Sequence, residues 1–227
     1  MRIETTSKTV YQFDELSDRA KERARDWYRQ GMETSDYAES VIEDAARMAD
    51  LLGINLRGRV ARLLGGGTRM EPEVYWSGFS HQGQGACFVG SYHYRKGSAR
   101  AIAAEAPSDW TDRETGKRIE NKSNAELNRI AAELADLQRA HFYRLSANVS
   151  PRGGNDCHEM SVSIDVFDGE NDADDETADA MRELLRDFMR WIYRSLESEY
   201  EYQMSDAQVD ESLRANEYEF DEDGDRA

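Results

Sequence analysis

"FYRLSANVSPRGGNDCHEMSVSIDVFD", Phe142 to Asp168, sets the fold class. "FYRLSANVS" and "HEMSVSIDVFD" both alternate apolar and polar residues, the period of a half-buried strand, and the turn-rich "PRGGND" between them predicts an antiparallel hairpin. Helical patterns flank it on both sides. Asn124 to His141 places Leu127, Ile130, Ala131, Leu134, Leu137 and Ala140 on one face. Beyond the acidic loop "GENDADDETADA", a helix from about Thr177 to Met204 carries the stripe Met181, Leu184, Leu185, Phe188, Met189, Ile192, Tyr193 and Leu196. Strands lying between helices, with no regular βαβ alternation, predict an α+β fold: a largely antiparallel sheet packed against several helices, with a long C-terminal helix and an acidic tail.

Upstream, Val10, Tyr11 and Phe13 form a strand-like run. It leads into a helix bearing Leu16, Ala20, Ala24, Trp27 and Tyr28, with Asp14 or Ser17 as its cap and Gly31 as its stop. A second helix, capped by Ser35 or Asp36 and closed by Gly53, buries Val41, Ile42, Ala45, Met48, Ala49 and Leu52, and the two are expected to form a helical hairpin. Strands follow at about Glu73 to Phe79 and Ala86 to Tyr94, and a short helix from Gly97 to Glu105 ends before Pro107. A last helix is expected from Asp206 to Ala215. The expected organisation is one domain over 1–215, with irregular insertions at about 55–72 and 107–123, and an acidic tail over 216–227.

The net charge of −17 is unevenly placed. Residues 1–151 hold 22 acidic and 22 basic side chains, whereas residues 152–227 hold 24 acidic against seven basic. Such a surface repels nucleic-acid backbones and attracts basic partners, so direct nucleic-acid binding is not expected. Two cysteines, Cys87 and Cys157, without a CxxC pair, point to a reducing compartment and away from a zinc ribbon. The N-terminal segment lacks the apolar run of a signal peptide, and no stretch is apolar for the length of a membrane span. The expected location is the cytoplasm.

Two constellations are candidates for function. The first is "YWSGFSHQGQGACFVGSYHY", Tyr75 to Tyr94. Its glycines match neither the P-loop nor the dinucleotide fingerprint, and a strand rather than a helix follows them. One reading is a tight loop between antiparallel strands. The other is a ligand pocket in which Ser80, His81, Gln82 and Gln84 supply hydrogen bonds beside Tyr75, Trp76 and Tyr92, chemistry suited to a nucleotide. Cys87 lies six residues after His81, but strand alternation buries it, and no catalytic residue is assigned. No metal or cofactor is expected either: Asp156, Cys157, His158 and Glu159 alternate in direction, and Asp168, Asn171 and Asp172 lack the EF-hand spacing.

The second constellation is C-terminal: Glu197, Glu199, Glu201, Asp206, Asp210, Glu211, Glu217, Glu219 and Asp221, interleaved with Tyr200, Tyr202, Tyr218 and Phe220. Read plainly, it is a solvated helix end and a disordered tail. Read as a partner site, its aromatics anchor an interface while its acids select a basic surface.

The segments "TVYQFDELSDRAKERARDWYRQG", "YWSGFSHQGQGACFVGSY", "LLRDFMRWIYRSLESEYEYQMSD" and "ANEYEF" resemble, in the same order over most of the chain, a family of uncharacterised phage and prophage accessory proteins that carry labels such as antitoxin or morphogenetic protein. The chain departs from that pattern around Leu56 to Met70 and in "TDRETGKRIENK". The resemblance implies an accessory protein acting on a host system. The expected function is a non-enzymatic, anti-CRISPR or anti-restriction inhibitor with a DNA-mimic-like acidic face. The alternatives are a nucleotide-sequestering protein built on the 75–94 loop and an antitoxin-like partner of a basic toxin. Leftover apolar surface on the long helices would serve a homodimer.

Overall fold

The computed structural model describes residues 8–32, 37–63, 65–111, 115–152 and 157–227. In chain order the elements are β1 (Tyr11–Gln12), a 3-10 turn (Phe13–Glu15), α1 (Asp18–Met32), α2 (Tyr37–Leu52), β2 (Ile54–Leu56), β3 (Gly58–Arg62), β4 (Thr68–Pro72), β5 (Val74–Trp76), β6 (Ala86–Phe88), β7 (Gly90–His93), α3 (Ser98–Glu105), β8 (Asp109–Thr111), β9 (Arg118–Glu120), α4 (Lys122–Ala140), β10 (Leu145–Pro151), β11 (Val162–Asp168), β12 (Asn171–Asp172), α5 (Asp175–Met204), α6 (Asp206–Ala215) and β13 (Glu219–Phe220). The fold is α+β, and every strand pair is antiparallel. No helix among the described residues is long and apolar enough to cross a membrane.

The chain divides into two compact units, one of residues 1–38 with 198–227 and one of residues 39–197. The larger unit is built on the five-stranded sheet β12-β11-β10-β7-β2. The Phe142 to Asp168 stretch supplies its central hairpin, in register from Leu145↔Asp168 to Pro151↔Val162. Leu145, Ala147, Val149, Val162, Ile164 and Val166 are buried, as the alternation requires. The α4 stripe Leu127, Ile130, Ala131 and Leu134 is buried, together with α5 residues from Met181 to Leu196. Ala140, expected in that stripe, is exposed, and the fully buried position is Gln138.

Both supposed irregular insertions contain paired strands: β3 with β4, from Gly58↔Pro72 to Arg62↔Thr68, and β8 with β9, from Asp109↔Glu120 to Thr111↔Arg118. Their apolar residues, Val60, Met70, Trp110 and Ile119, are exposed, so neither hairpin has the buried face that would have marked it in the sequence.

The smaller unit joins α1 to α6 around Phe13, Leu16, Ala20, Ala24, Val209, Leu213 and Phe220, all buried. Ser17 caps α1, its Oγ accepting from Ala20 N at 3.3 Å, and α1 runs through Gly31 to Met32. Ser35 and Asp36, the expected caps of α2, lie outside the described residues. The expected α1–α2 hairpin is divided between the units: within the smaller one α1 packs on α6 and the 3-10 turn, and nearly all of α2 belongs to the larger one. Residues 216–227 are likewise no free tail. β13 pairs with β1, Phe220 is 0% exposed, and Gly224 at φ +89° lies so close to α1 that a Cβ there would fall 2.1 Å from the Ala20 carbonyl oxygen.

Candidate functional site

The Tyr75 to Tyr94 stretch begins as an antiparallel pair, β5 on β6, with Val74↔Phe88, Tyr75↔Cys87 and Trp76↔Ala86 opposite one another. The loop between them satisfies its own polar groups. Gln84 Oε1 accepts from Ser80 N at 2.7 Å and His81 N at 2.8 Å, Ser77 Oγ accepts from Gly85 N at 3.1 Å, and Tyr193 of α5 donates its hydroxyl to the Gly78 carbonyl at 3.0 Å. Gly85 is required by closeness: a Cβ would sit 2.9 Å from His158 Cδ2. Backbone N–H groups that an anion would need are thus partly occupied by Gln84.

Ser80, His81 and Gln82 are exposed at the loop tip, and Tyr75 and Trp76 are half-buried, with the Arg59 guanidinium 5.8 Å from the Tyr75 ring. Tyr92 is elsewhere. It is 2% exposed in β7, opposite Ala147 and Ile54, and its hydroxyl accepts from Gln138 Nε2 at 3.4 Å. Burial pushes its phenol up to about 12, against the Gln138 hydrogen bond, so Tyr92 is a neutral core residue rather than a pocket wall. Cys87 is also buried, which raises its thiol pKa, with Ser161 Oγ 3.7 Å from the sulfur. A protonated, shielded thiol is a poor nucleophile. Asp168 meets His141 Nδ1 at 3.2 Å and Arg144 at 3.0 Å, while Asn171 and Asp172 lie in β12. Asp156 lies outside the described residues.

The C-terminal acids divide into two sets. Asp210 is held bidentately by Arg25 (Nε–Oδ1 2.6 Å, Nη2–Oδ2 2.9 Å), and both side chains are about 15% exposed. Asp206 pairs with Arg29, Asp223 and Asp225 face Arg23, Asp221 Oδ1 accepts from the N–H groups of Asp223 and Asp225, and Glu199 accepts from Gln203. These groups hold the unit together. Glu197, half-buried on α5 in the larger unit, adds to the burial that raises the Tyr193 pKa. Glu201, Glu211, Glu217, Glu219 and Glu222 are exposed, and their carboxylates enter no ion pair or side-chain hydrogen bond among the described residues.

The Arg25 hydrogen bonds keep the Asp210 carboxyl below the ordinary range. A depressed carboxylate contributes stability that is present above the unfolded pKa of about 3.9 and is lost as pH falls through the folded value. The smaller unit should therefore weaken as pH drops from about 4. Arg25→Ala should cost about 2 to 3 kcal/mol at pH 7, because it strands a largely buried carboxylate. Urea melts of both proteins at pH 7 and pH 3, with α1 amide exchange as the probe, check this: the gap between them should narrow at pH 3.

The smaller unit also carries an aromatic groove of about 460 Å³ lined by Trp27, Tyr28, Gln30, Gly31, Met32 and Tyr218. Trp27 meets Tyr218 edge-on at 5.2 Å and Phe220 at 5.9 Å. The Arg226 guanidinium sits 4.9 Å from the Tyr218 ring and 5.8 Å from Trp27. Helical spacing places Trp27 and Tyr28 on the apolar face of α1, but it does not show that this face is only partly covered. What leaves it open is the path of the chain after α6, which turns at Glu217 (φ +50°) and brings Tyr218 alongside.

A family model described as a domain of unknown function, DUF8835, matches residues 37–206. The chain belongs to this family. The matched span contains the whole larger unit, including the 75–94 loop, and leaves most of the acidic smaller unit outside. Nothing among curated proteins or solved structures matches the chain.

Proposed function

We propose that this DUF8835 protein is a non-enzymatic inhibitor of a host defence system, of the CRISPR or restriction type, working in the host cytoplasm. It acts by seating the face formed by Trp27, Tyr28, Tyr218 and the free glutamates on a basic, nucleic-acid-binding protein surface. The observation that carries this reading is the aromatic groove with Arg226 stacked on it. Aromatic faces that already hold one guanidinium suit arginines from a partner, and the unpaired carboxylates of the same unit supply the charge that replaces phosphates. The smaller unit holds 19 acidic residues against nine basic ones, a net −10. Its acids also stand on a packed platform, so binding would order little chain and lose little entropy. The phage setting rests on the resemblance of the sequence to phage accessory proteins.

The test is a plaque assay on hosts carrying a single defined CRISPR or restriction system, with the chain expressed in trans. The wild-type chain should restore plating on at least one such host. The triple variant Glu211→Lys, Glu219→Lys, Glu222→Lys, which touches no internal ion pair, should lose at least tenfold of that rescue with an unchanged melting temperature. Rescue that survives the triple variant would remove charge from the mechanism.

A further inference from the structure

In a protein of net charge −17, one pocket of the larger unit is basic. It lies at the N-terminus of α3, has a volume of about 110 Å³, and is lined chiefly by Tyr94, Gly97, Ser98, Arg100, Arg139 and Tyr143. The helix begins without a side-chain cap: Gly97 occupies the N-cap in the left-handed region (φ 80°, ψ 13°), where it offers no oxygen to the first turn. Ser98 N bonds to the Arg95 carbonyl and Ala101 N to that of Gly97. The N–H groups of Ala99 and Arg100 therefore face the helix entrance with neither a preceding turn nor a cap to take them.

Ser98 provides the second observation. It is 6% exposed and its hydroxyl has no hydrogen-bond partner among the described residues, yet its oxygen is not one of the unbonded polar atoms wholly shut from solvent. Its small remaining surface belongs to a residue that lines the pocket. A hydroxyl with no protein partner and a narrow opening keeps its donor and acceptor available to whatever enters the pocket.

Arg100 likewise enters no ion pair or hydrogen bond among the described residues, and Arg139 has only the exposed Asp136 one turn away on its own helix, at 2.9 Å. On the remaining side, Tyr94 and Tyr143 stack with ring centroids 4.6 Å apart and a tilt of 35°. Tyr143 reaches that position because Phe142 and Tyr143 both adopt positive φ, 54° and 63°, with Tyr143 N bonded to the Gln138 carbonyl at 2.7 Å.

We infer that this pocket binds the phosphate group of a small ligand, with the helix entrance, the Ser98 hydroxyl and the two guanidiniums as donors and the Tyr94–Tyr143 stack as a wall for whatever the phosphate carries. A helix N-terminus with uncapped amides favours an anion, and arginines add charge-assisted hydrogen bonds with fixed directions. The binding lies in the unit that the family model covers and is independent of the acidic face.

The test is an NMR titration of the full-length chain with inorganic phosphate and, separately, with adenosine monophosphate, at constant ionic strength against sodium chloride. Saturable shifts at the Ala99 and Arg100 amides are expected with both or with either one. Tighter binding of the nucleotide, lost in Tyr143→Leu, would assign the aromatic wall to a base; equal affinities would make phosphate itself the ligand. The double variant Arg100→Gln, Arg139→Gln, both exposed side chains, should weaken binding at least tenfold with an unchanged melting temperature. No saturable shift at these amides, or shifts that persist in the double variant or are matched by chloride, would overturn the inference.

Discussion

Phe220→Ala should release residues 216–227 from the smaller unit and destabilise that unit by roughly 3 to 5 kcal/mol, the usual cost of truncating a fully buried Phe. Phe220 is 0% exposed, meets Trp27 edge-on, and pairs with Tyr11 in the β1–β13 ladder. Its cluster contains just seven buried residues, three of them from α6 and the strand that follows. A core this small has few other contacts to absorb a cavity, so the loss should be felt throughout it. Limited proteolysis reads the result: cleavage after α6 should become fast in Phe220→Ala and stay slow in Phe220→Leu. Equal cleavage of Phe220→Ala and wild type would mean that the C-terminal segment is held by its ion pairs instead. Because Tyr218 and Glu219 flank Phe220, the same variant should also lose the proposed defence-blocking activity, whereas the lysine triple variant should lose it without losing stability.

The second large effect is expected at Gln138, a polar side chain that is 0% exposed in α4. Its Nε2 donates to the Leu145 carbonyl at 2.7 Å and its Oε1 accepts from Leu145 N at 3.2 Å, so one amide closes both backbone groups at the first residue of β10. Gln138→Leu keeps the volume but leaves that N–H and that carbonyl buried without partners, at about 1 to 3 kcal/mol each. A total loss of about 2 to 5 kcal/mol is expected in urea melts with an unchanged slope. Tyr92→Phe should cost far less, about 1 kcal/mol or below, since its hydroxyl only receives a long third bond from the same amide. If Gln138→Leu were as mild as Tyr92→Phe, the start of β10 would have to find another way to satisfy Leu145.

Periodicity alone was enough for the α+β class, the Leu145 to Asp168 hairpin, the stripe on α5 and α6 from Asp206 to Ala215, because each buries one continuous face and so leaves its period in the residues. Charge counting placed the acidic excess in the last third for the same reason: it needs no knowledge of contacts. Tertiary structure decided the rest. The β3–β4 and β8–β9 hairpins bury too little to show a pattern, and Gln138 takes a core position because a strand end, not a hydrophobic neighbour, faces it. Tyr92 and the tip residues Ser80, His81 and Gln82 are close in sequence but differ in depth, since the tip caps the β5–β6 pair while Tyr92 lies in the five-stranded sheet, the chain changing partner between Phe88 and Gly90. Composition also treats all carboxylates alike. Only the fold pairs Asp210 with Arg25 across 185 residues, leaves the carboxylates of Glu211, Glu217, Glu219 and Glu222 without an ion pair among the described residues, and buries Phe220 in the α1–α6 core, because which acid meets which arginine depends on how α1 and α6 come together and not on spacing along the chain.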